Sequence, residues 1–205
     1  MPYDVGKDYY VDPVTGVLTN KLGITDRQEL EDAEAEITSV KIISILVGAD
    51  YDLGQFTWQL LLSIHARIFD EIYDWAGEVR DVEISKGDTS FARMEHINSS
   101  GEALLSELAN EHYLEGLDDQ QVLRRLAHYY SELNIIHPFR EGNGRTIRTY
   151  ISLLAETLGW DIAWDEMDPE ENITACIAAY NGNEQPLVEL FFRVSDAIDP
   201  FWLTN

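Results

Sequence analysis

Twelve residues constrain this chain more than any others: His137-Pro138-Phe139-Arg140-Glu141-Gly142-Asn143-Gly144-Arg145-Thr146-Ile147-Arg148. They lie between two stretches of helical periodicity, one from Asp118 to Leu133 and one from about Gly144 to Leu158. Proline disfavours helical backbone in the residue before it, so the first helix ends at Pro138. The segment is therefore a loop that feeds a helix N-terminus. Gly142 and Gly144 let backbone N–H groups approach an anion with no Cβ in the way. The helix that follows adds its positive end. Arg145 and Arg148, three apart, are predicted to share one face of the first turn. Glu141 offers hard carboxylate oxygens of the kind Mg²⁺ prefers. At the loop entrance, a neutral His137 imidazole can take a proton from an attacking hydroxyl.

Each of these features also has a plain reading. A histidine before proline is more often a capping or core residue, and a glycine-rich turn alone says little. Two arginines can simply pair with nearby carboxylates. The conjunction argues otherwise. The chain holds 38 acidic and only 14 basic residues, yet Arg140, Arg145 and Arg148 fall together at one helix start. The net charge of −24 opposes polyanion binding, which excludes DNA, RNA and anionic membranes as natural partners. A nucleotide remains admissible where Mg²⁺ and local arginines neutralise it.

The rest of the chain reads as one mostly helical domain over residues 1–205. Residues 1–25 contain Pro2, Gly6, Pro13, Gly16 and Gly23 and form an irregular arm. Residues 26–198 form the core. After Thr25 and Asp26 as N-cap, apolar residues Leu30, Ala33, Ile37, Val40, Ile43 and Ile45 recur at helical spacing to about Val47. A second helical pattern runs from Leu60 through Ile72 and ends near Trp75-Ala76-Gly77. Residues 80–92 alternate in polarity about Lys86-Gly87-Asp88, which predicts a short β-hairpin. Helices follow at about 94–113, 169–181 and 185–197. Cys176 is the sole cysteine and reads as a buried small hydrophobe. No apolar run reaches the roughly 18 residues needed to span a bilayer, and no signal pattern opens the chain. A cytoplasmic protein is the default expectation, with delivery by a secretion system compatible.

The twelve-residue segment matches, position by position, the signature H-x-F-x-[D/E]-G-N-G-R-x-x-R of the Fic family. Further resemblance lies in Ile64-His65 and in Phe69 with Tyr73-Asp74-Trp75-Ala76-Gly77-Glu78-Val79-Arg80, similar to the helix and turn before the Fic flap. Val82-Glu83-Ile84-Ser85-Lys86-Gly87 with Phe91 is similar to the flap itself. The opening stretch from Pro2-Tyr3 to Leu22-Gly23-Ile24 resembles the arm of bacterial Fic toxins of the FicT and VbhT type.

The resemblance implies an all-α helical bundle with a short β-hairpin flap and a protein adenylyltransferase activity. His137 would deprotonate a Tyr, Thr or Ser hydroxyl of a target protein, which attacks the α-phosphate of ATP. Glu141 would coordinate Mg²⁺. Gly142, Asn143 and Gly144 would surround the phosphates, Arg145 would contact the β-phosphate and Arg148 the γ-phosphate. Phe139 would anchor the loop. The flap residues Glu83, Ile84, Ser85, Lys86 and Gly87 would dock an extended target segment by strand pairing. Tyr180 and Asn181 would line the adenine pocket. The family's inhibitory pattern [S/T]-x-x-x-E-[G/N] is absent, because Glu115, Glu141 and Glu171 are preceded at that spacing by Glu111, His137 and Met167. The resemblance then points to a toxin inhibited in trans by a small antitoxin through Arg148. It also points to the ATPase subunits of DNA gyrase and topoisomerase IV as targets. Alternatives are transfer of a phosphoryl or UMP group on the same fold, or an interaction module without chemistry.

Overall fold

The structure, a computed structural model, describes residues 4–5, 8–48, 55–86 and 89–198. Seven α-helices dominate it: α1 (Arg27–Val47), α2 (Trp58–Phe69), α3 (Ile97–Asn110), α4 (Asp119–Ile136), α5 (Asn143–Thr157), α6 (Pro169–Tyr180) and α7 (Gln185–Val194). Their starts are set locally. Asp26, Thr57, Asp118 and Asp168 each accept a first-turn N–H of α1, α2, α4 and α6. Such a cap is worth about 1 kcal/mol. At α4 the cap is reciprocal, since Gln121 reaches back to the Asp118 N–H.

The buried side chains form one cluster with α5 at its centre. Helix α5 packs against α1, α2 and α4, and its inner residues Ile147, Tyr150, Ile151, Leu154 and Ala155 are fully buried. The motif loop therefore enters a helix held on several sides. The hairpin forms as expected from β2 (Ile84–Lys86) and β3 (Thr89–Ser90). No helix among the described residues is long and apolar enough to cross a membrane.

Four local expectations need correction. The inward face of α1 is not its apolar stripe. Leu30, Glu34, Thr38 and Ile45 are buried, whereas Val40 and Ile43 are 65% and 62% exposed. The cause is that this face meets a charged residue of α5, described below. Helix α2 stops at Phe69, not near Gly77, because residues 70–77 fold back. There the Gly77 N–H reaches His65 Nδ1 at 2.8 Å, and Tyr73 stacks on Trp75 at 4.3 Å. The predicted helix at 94–113 is broken at its end by three left-handed residues, His112, Tyr113 and Leu114. They turn the chain so that Leu114 is buried. The last helix ends at Val194, and β5 (Ser195–Ala197) then pairs antiparallel with β4 (Trp160–Ile162). That two-stranded sheet is an addition to the expected all-α bundle.

Candidate active site

His137 follows the last turn of α4, where its own N–H donates to the Leu133 carbonyl. Its backbone is left-handed at φ +49°, a region uncommon for a side chain of this size and often found at functional sites. The Nδ1 atom lies 3.0 Å from the Asn134 carbonyl oxygen. A carbonyl only accepts, so Nδ1 carries the proton and Nε2 is the basic nitrogen. The ring is buried beneath Phe91, whose ring stacks on it at 3.8 Å. Burial pushes the imidazole pKa down to about 3, and the charges of Arg80 and Lys86 act in the same direction. His137 is thus neutral at physiological pH.

That depressed value has a consequence for stability. Below pH 6.5 the unfolded chain binds a proton at this site and the folded chain does not, so stability falls as the pH drops from 6.5 toward 3. The slope from this group reaches at most about 1.4 kcal/mol per pH unit. Urea unfolding at pH 7.5 and pH 5 is expected to show this loss, and a His137→Asn variant is expected to show less of it.

The loop after His137 is braced from within. Phe139 is fully buried and stacks on His65 at 3.8 Å. The buried Asn143 side chain accepts from the Phe139 N–H at 2.8 Å and donates to the Phe139 carbonyl at 2.7 Å. His65 accepts from Gly77 through Nδ1, so its Nε2 donates to the Glu141 carbonyl at 3.1 Å. Gly142 precedes α5 at φ +82°, and no side chain among the described residues caps that helix. The first-turn N–H groups of Asn143, Gly144 and Arg145 thereby have no side-chain acceptor and suit an anion. A Cβ on Gly142 would stand 2.2 Å from the Phe69 ring. Gly142→Ala is expected to cost roughly 3 kcal/mol from strain and overpacking together. Thermal denaturation is expected to show a fall of roughly 6–12 °C.

The three motif arginines separate. Arg140 pairs with Asp8 of the arm at 2.6 Å, both side chains being nearly buried. Arg145 turns toward α1. It pairs with Glu34, reaches the Thr38 hydroxyl at 3.2 Å, lies 3.7 Å from Glu141 and covers the Phe69 ring at 4.8 Å. Arg148 turns the other way, close enough to Tyr130 and Cys176 for its charge to act on both. Arg145 and Arg148 thus have different surroundings: Glu34 engages the first, and the second lies near Tyr130, Cys176 and Gly144. Arg148 has no ion-pair partner among the described residues. The Glu141 carboxylate accepts from the Gly142 N–H at 2.8 Å. Burial raises its pKa, with Glu34 adding to the effect. Glu34, Tyr73, Glu141 and Arg145 border one cavity of about 340 Å³.

The flap is tied to this loop by Arg80, whose side chain is fully buried. Arg80 donates to the carbonyls of His137 at 2.9 Å, Val82 at 2.6 Å and Ala92 at 2.6 Å. Ile84 is buried, Ser85 half-buried, and Glu83 and Lys86 exposed; Gly87 lies outside the described residues. The edge of β2 expected to receive a target is not open at Ile84 and Ser85. Those residues pair antiparallel with β1 (Asp4–Val5), giving the order β1-β2-β3. The arm is fixed beside it, since the Tyr10 hydroxyl donates to Asp81 at 2.7 Å. Tyr180 is exposed at the end of α6, and Asn181 donates to the Ile177 carbonyl at 2.8 Å. Neither borders the cavity beside Glu141.

Comparison with known proteins bears on this geometry. Residues 55–155 match the model of the Fic/DOC family. A probable protein adenylyltransferase Fic of Escherichia coli K12 is 37% identical over 191 residues, spanning 92% of each chain. This chain belongs to the Fic/DOC family. The protein adenylyltransferase VbhT of Bartonella schoenbuchensis is 38% identical over 93% of this chain, which spans 40% of VbhT. Among solved structures, the BepC protein of Bartonella tribocorum, a VirB-translocated effector with bound AMPPNP, superposes with a TM-score of 0.84. It is 26% identical, with 93% of this chain and 97% of that one covered. The Fic match contains α2, the flap and the segment from His137 to Arg148, whereas Glu34 and the arm lie before it.

Proposed function

We propose that this chain is a protein adenylyltransferase that moves AMP from ATP onto a Tyr, Thr or Ser hydroxyl of a target protein. The observation that carries the reading is Arg148, a guanidinium without an ion partner among the described residues of a chain with 38 acidic residues. Its guanidinium lies against the first turn of α5, where a Cβ on Gly144 would stand 3.1 Å from Nη1, and no side chain among the described residues caps that turn. The family relatives named adenylyltransferases and the AMPPNP-bound structural neighbour support the same chemistry.

In this reading the target hydroxyl gives its proton to His137 Nε2 as its oxygen attacks the α-phosphorus. The bond to the β-phosphate oxygen breaks and pyrophosphate leaves. The N–H groups at the start of α5 receive the α- and β-phosphate oxygens, and Arg148 holds the γ-phosphate. Positioning and charge complementarity supply most of the barrier reduction. Arg145 is bound to Glu34, so its part in phosphate contact is smaller than that of Arg148. Mg²⁺ would neutralise charge on the phosphates. Glu141 fits it, because one carboxylate oxygen is engaged by Gly142 while the group borders a cavity with a second carboxylate.

The flap would receive the target along the free side of β3, or along β2 once β1 is displaced. Tyr180 and Asn181 would approach the adenine. The chain would act in the cytoplasm as a toxin held silent by a small separate antitoxin directed at Arg148. The ATPase subunits of gyrase and topoisomerase IV are the first targets to try. Incubation with a bacterial lysate, Mg²⁺ and ATP labelled at the α- or the γ-phosphate tests the reading. Protein label from α-ATP alone is expected. Label from γ-ATP alone would make the activity a phosphoryl transfer and refute it.

A further inference from the structure

We infer that Glu34 is a positioning residue for the metal-binding carboxylate, acting through Arg145 from outside the motif. The inference rests on the assignment of Mg²⁺ to Glu141 above. Glu34 lies on α1, 111 positions before Arg145, and is buried. Its two oxygens have different partners: Oε1 accepts from Arg145, and Oε2 accepts from the Tyr73 hydroxyl. Thr38, one turn along α1, takes a second nitrogen of Arg145, and the Phe69 ring supports the guanidinium plane. Three contacts, with Glu34, Thr38 and Phe69, thus fix Arg145, and a fourth from Tyr73 fixes Glu34.

Glu141 is the fifth group at this point, 3.7 Å from the same Arg145 nitrogen. Two carboxylates bracket a single guanidinium. The shorter pairing is with Glu34. Arg145 is thereby kept from closing fully on Glu141, whose carboxylate stays accessible to a cation. A buried carboxylate in the opposite position, competing with the metal ligand for its neighbouring arginine, sets how strongly that ligand binds Mg²⁺. Without Glu34, Arg145 pairs with Glu141 instead and the cation loses its partner. Tyr73 holds Glu34 in place for this, since its hydroxyl donates to Oε2 and leaves Oε1 to Arg145.

The experiment is calorimetric titration of AMPPNP into the folded chain at a series of Mg²⁺ concentrations. Glu34→Gln is expected to raise the Mg²⁺ concentration for half-maximal nucleotide binding roughly 10–100-fold, with affinity recovered at saturating Mg²⁺. Tyr73→Phe is expected to shift it the same way by a smaller factor. A folded Glu34→Gln with an unchanged Mg²⁺ requirement overturns the inference, as does a loss of binding that Mg²⁺ does not restore. If Glu34→Gln fails to fold, Tyr73→Phe decides by the same criterion. Should nucleotide binding by the native chain prove independent of Mg²⁺, the Glu141 assignment itself falls, a result distinct from either outcome for Glu34.

Discussion

Replacing His137 is expected to lower AMP transfer by roughly 10²–10⁴-fold while leaving nucleotide binding in place. The size follows from the proposed roles: a general base would contribute at the proton transfer, whereas Arg148 and the α5 N-terminus would contribute to phosphate binding. Two replacements separate chemistry from folding. His137→Ala places a methyl side chain at φ +49°, a left-handed position that costs an L-residue about 1–2 kcal/mol. His137→Asn tolerates that backbone better and still lacks a base. Both are expected to be inactive, with the Asn variant the more stable. Single-turnover transfer from α-labelled ATP measures the loss, and urea unfolding measures the fold. Residual transfer within a factor of ten of the parent in either variant would remove His137 from the mechanism. The Phe91 ring over the imidazole adds a condition. In the proposed mechanism a target hydroxyl would reach Nε2 only past that ring, so flap position would help set the rate.

Arg80→Met is expected to destabilise the fold by roughly 3–5 kcal/mol, the largest effect of any single replacement considered. The guanidinium donates to three carbonyls, two at the base of the hairpin and one on His137 itself. A thioether donates to none of them, and each buried acceptor is left unsatisfied. The loss is also directional. Val82 and Ala92 open and close the hairpin segment, so the flap parts from the loop before the helices part from each other. Amide hydrogen exchange is expected to rise first at residues 82–92 and only later in α5. Arg80→Lys keeps a charge but not the planar fork, and is expected to recover part of the stability. Uniform exchange across the chain would show that Arg80 serves the core and not the flap.

The motif could be read because it is local. Its loop, its glycines and its helix start occupy twelve contiguous residues, and the caps at Asp26, Asp118 and Asp168 are equally local. The hairpin announced itself through alternation about a turn. What escaped was partnership across the chain. Glu34 looks like one more acid on an acidic helix, and nothing in its neighbours marks it as the partner of Arg145. Misreading α1 by its apolar stripe had the same cause: a helix whose inner face serves an arginine need not bury its valines and isoleucines. Arg80 carries no periodic signal, since its three acceptors lie 2, 12 and 57 positions away. The pairings of β1 with β2 and of β4 with β5 involve strands of two or three residues, too short to show alternation.

The strand at Asp4–Val5 leaves the flap as its neighbour in the sheet. A bulky group attached at Asp4 or Val5 would therefore sit beside the edge proposed above to dock a target. A label there would be a poor handle for pull-down work, since an apparent lack of partners would report crowding by the label. Immobilisation through an exposed residue of another sheet, such as Asp161 in β4, avoids the β1–β2 pairing and leaves the proposed docking edge unencumbered.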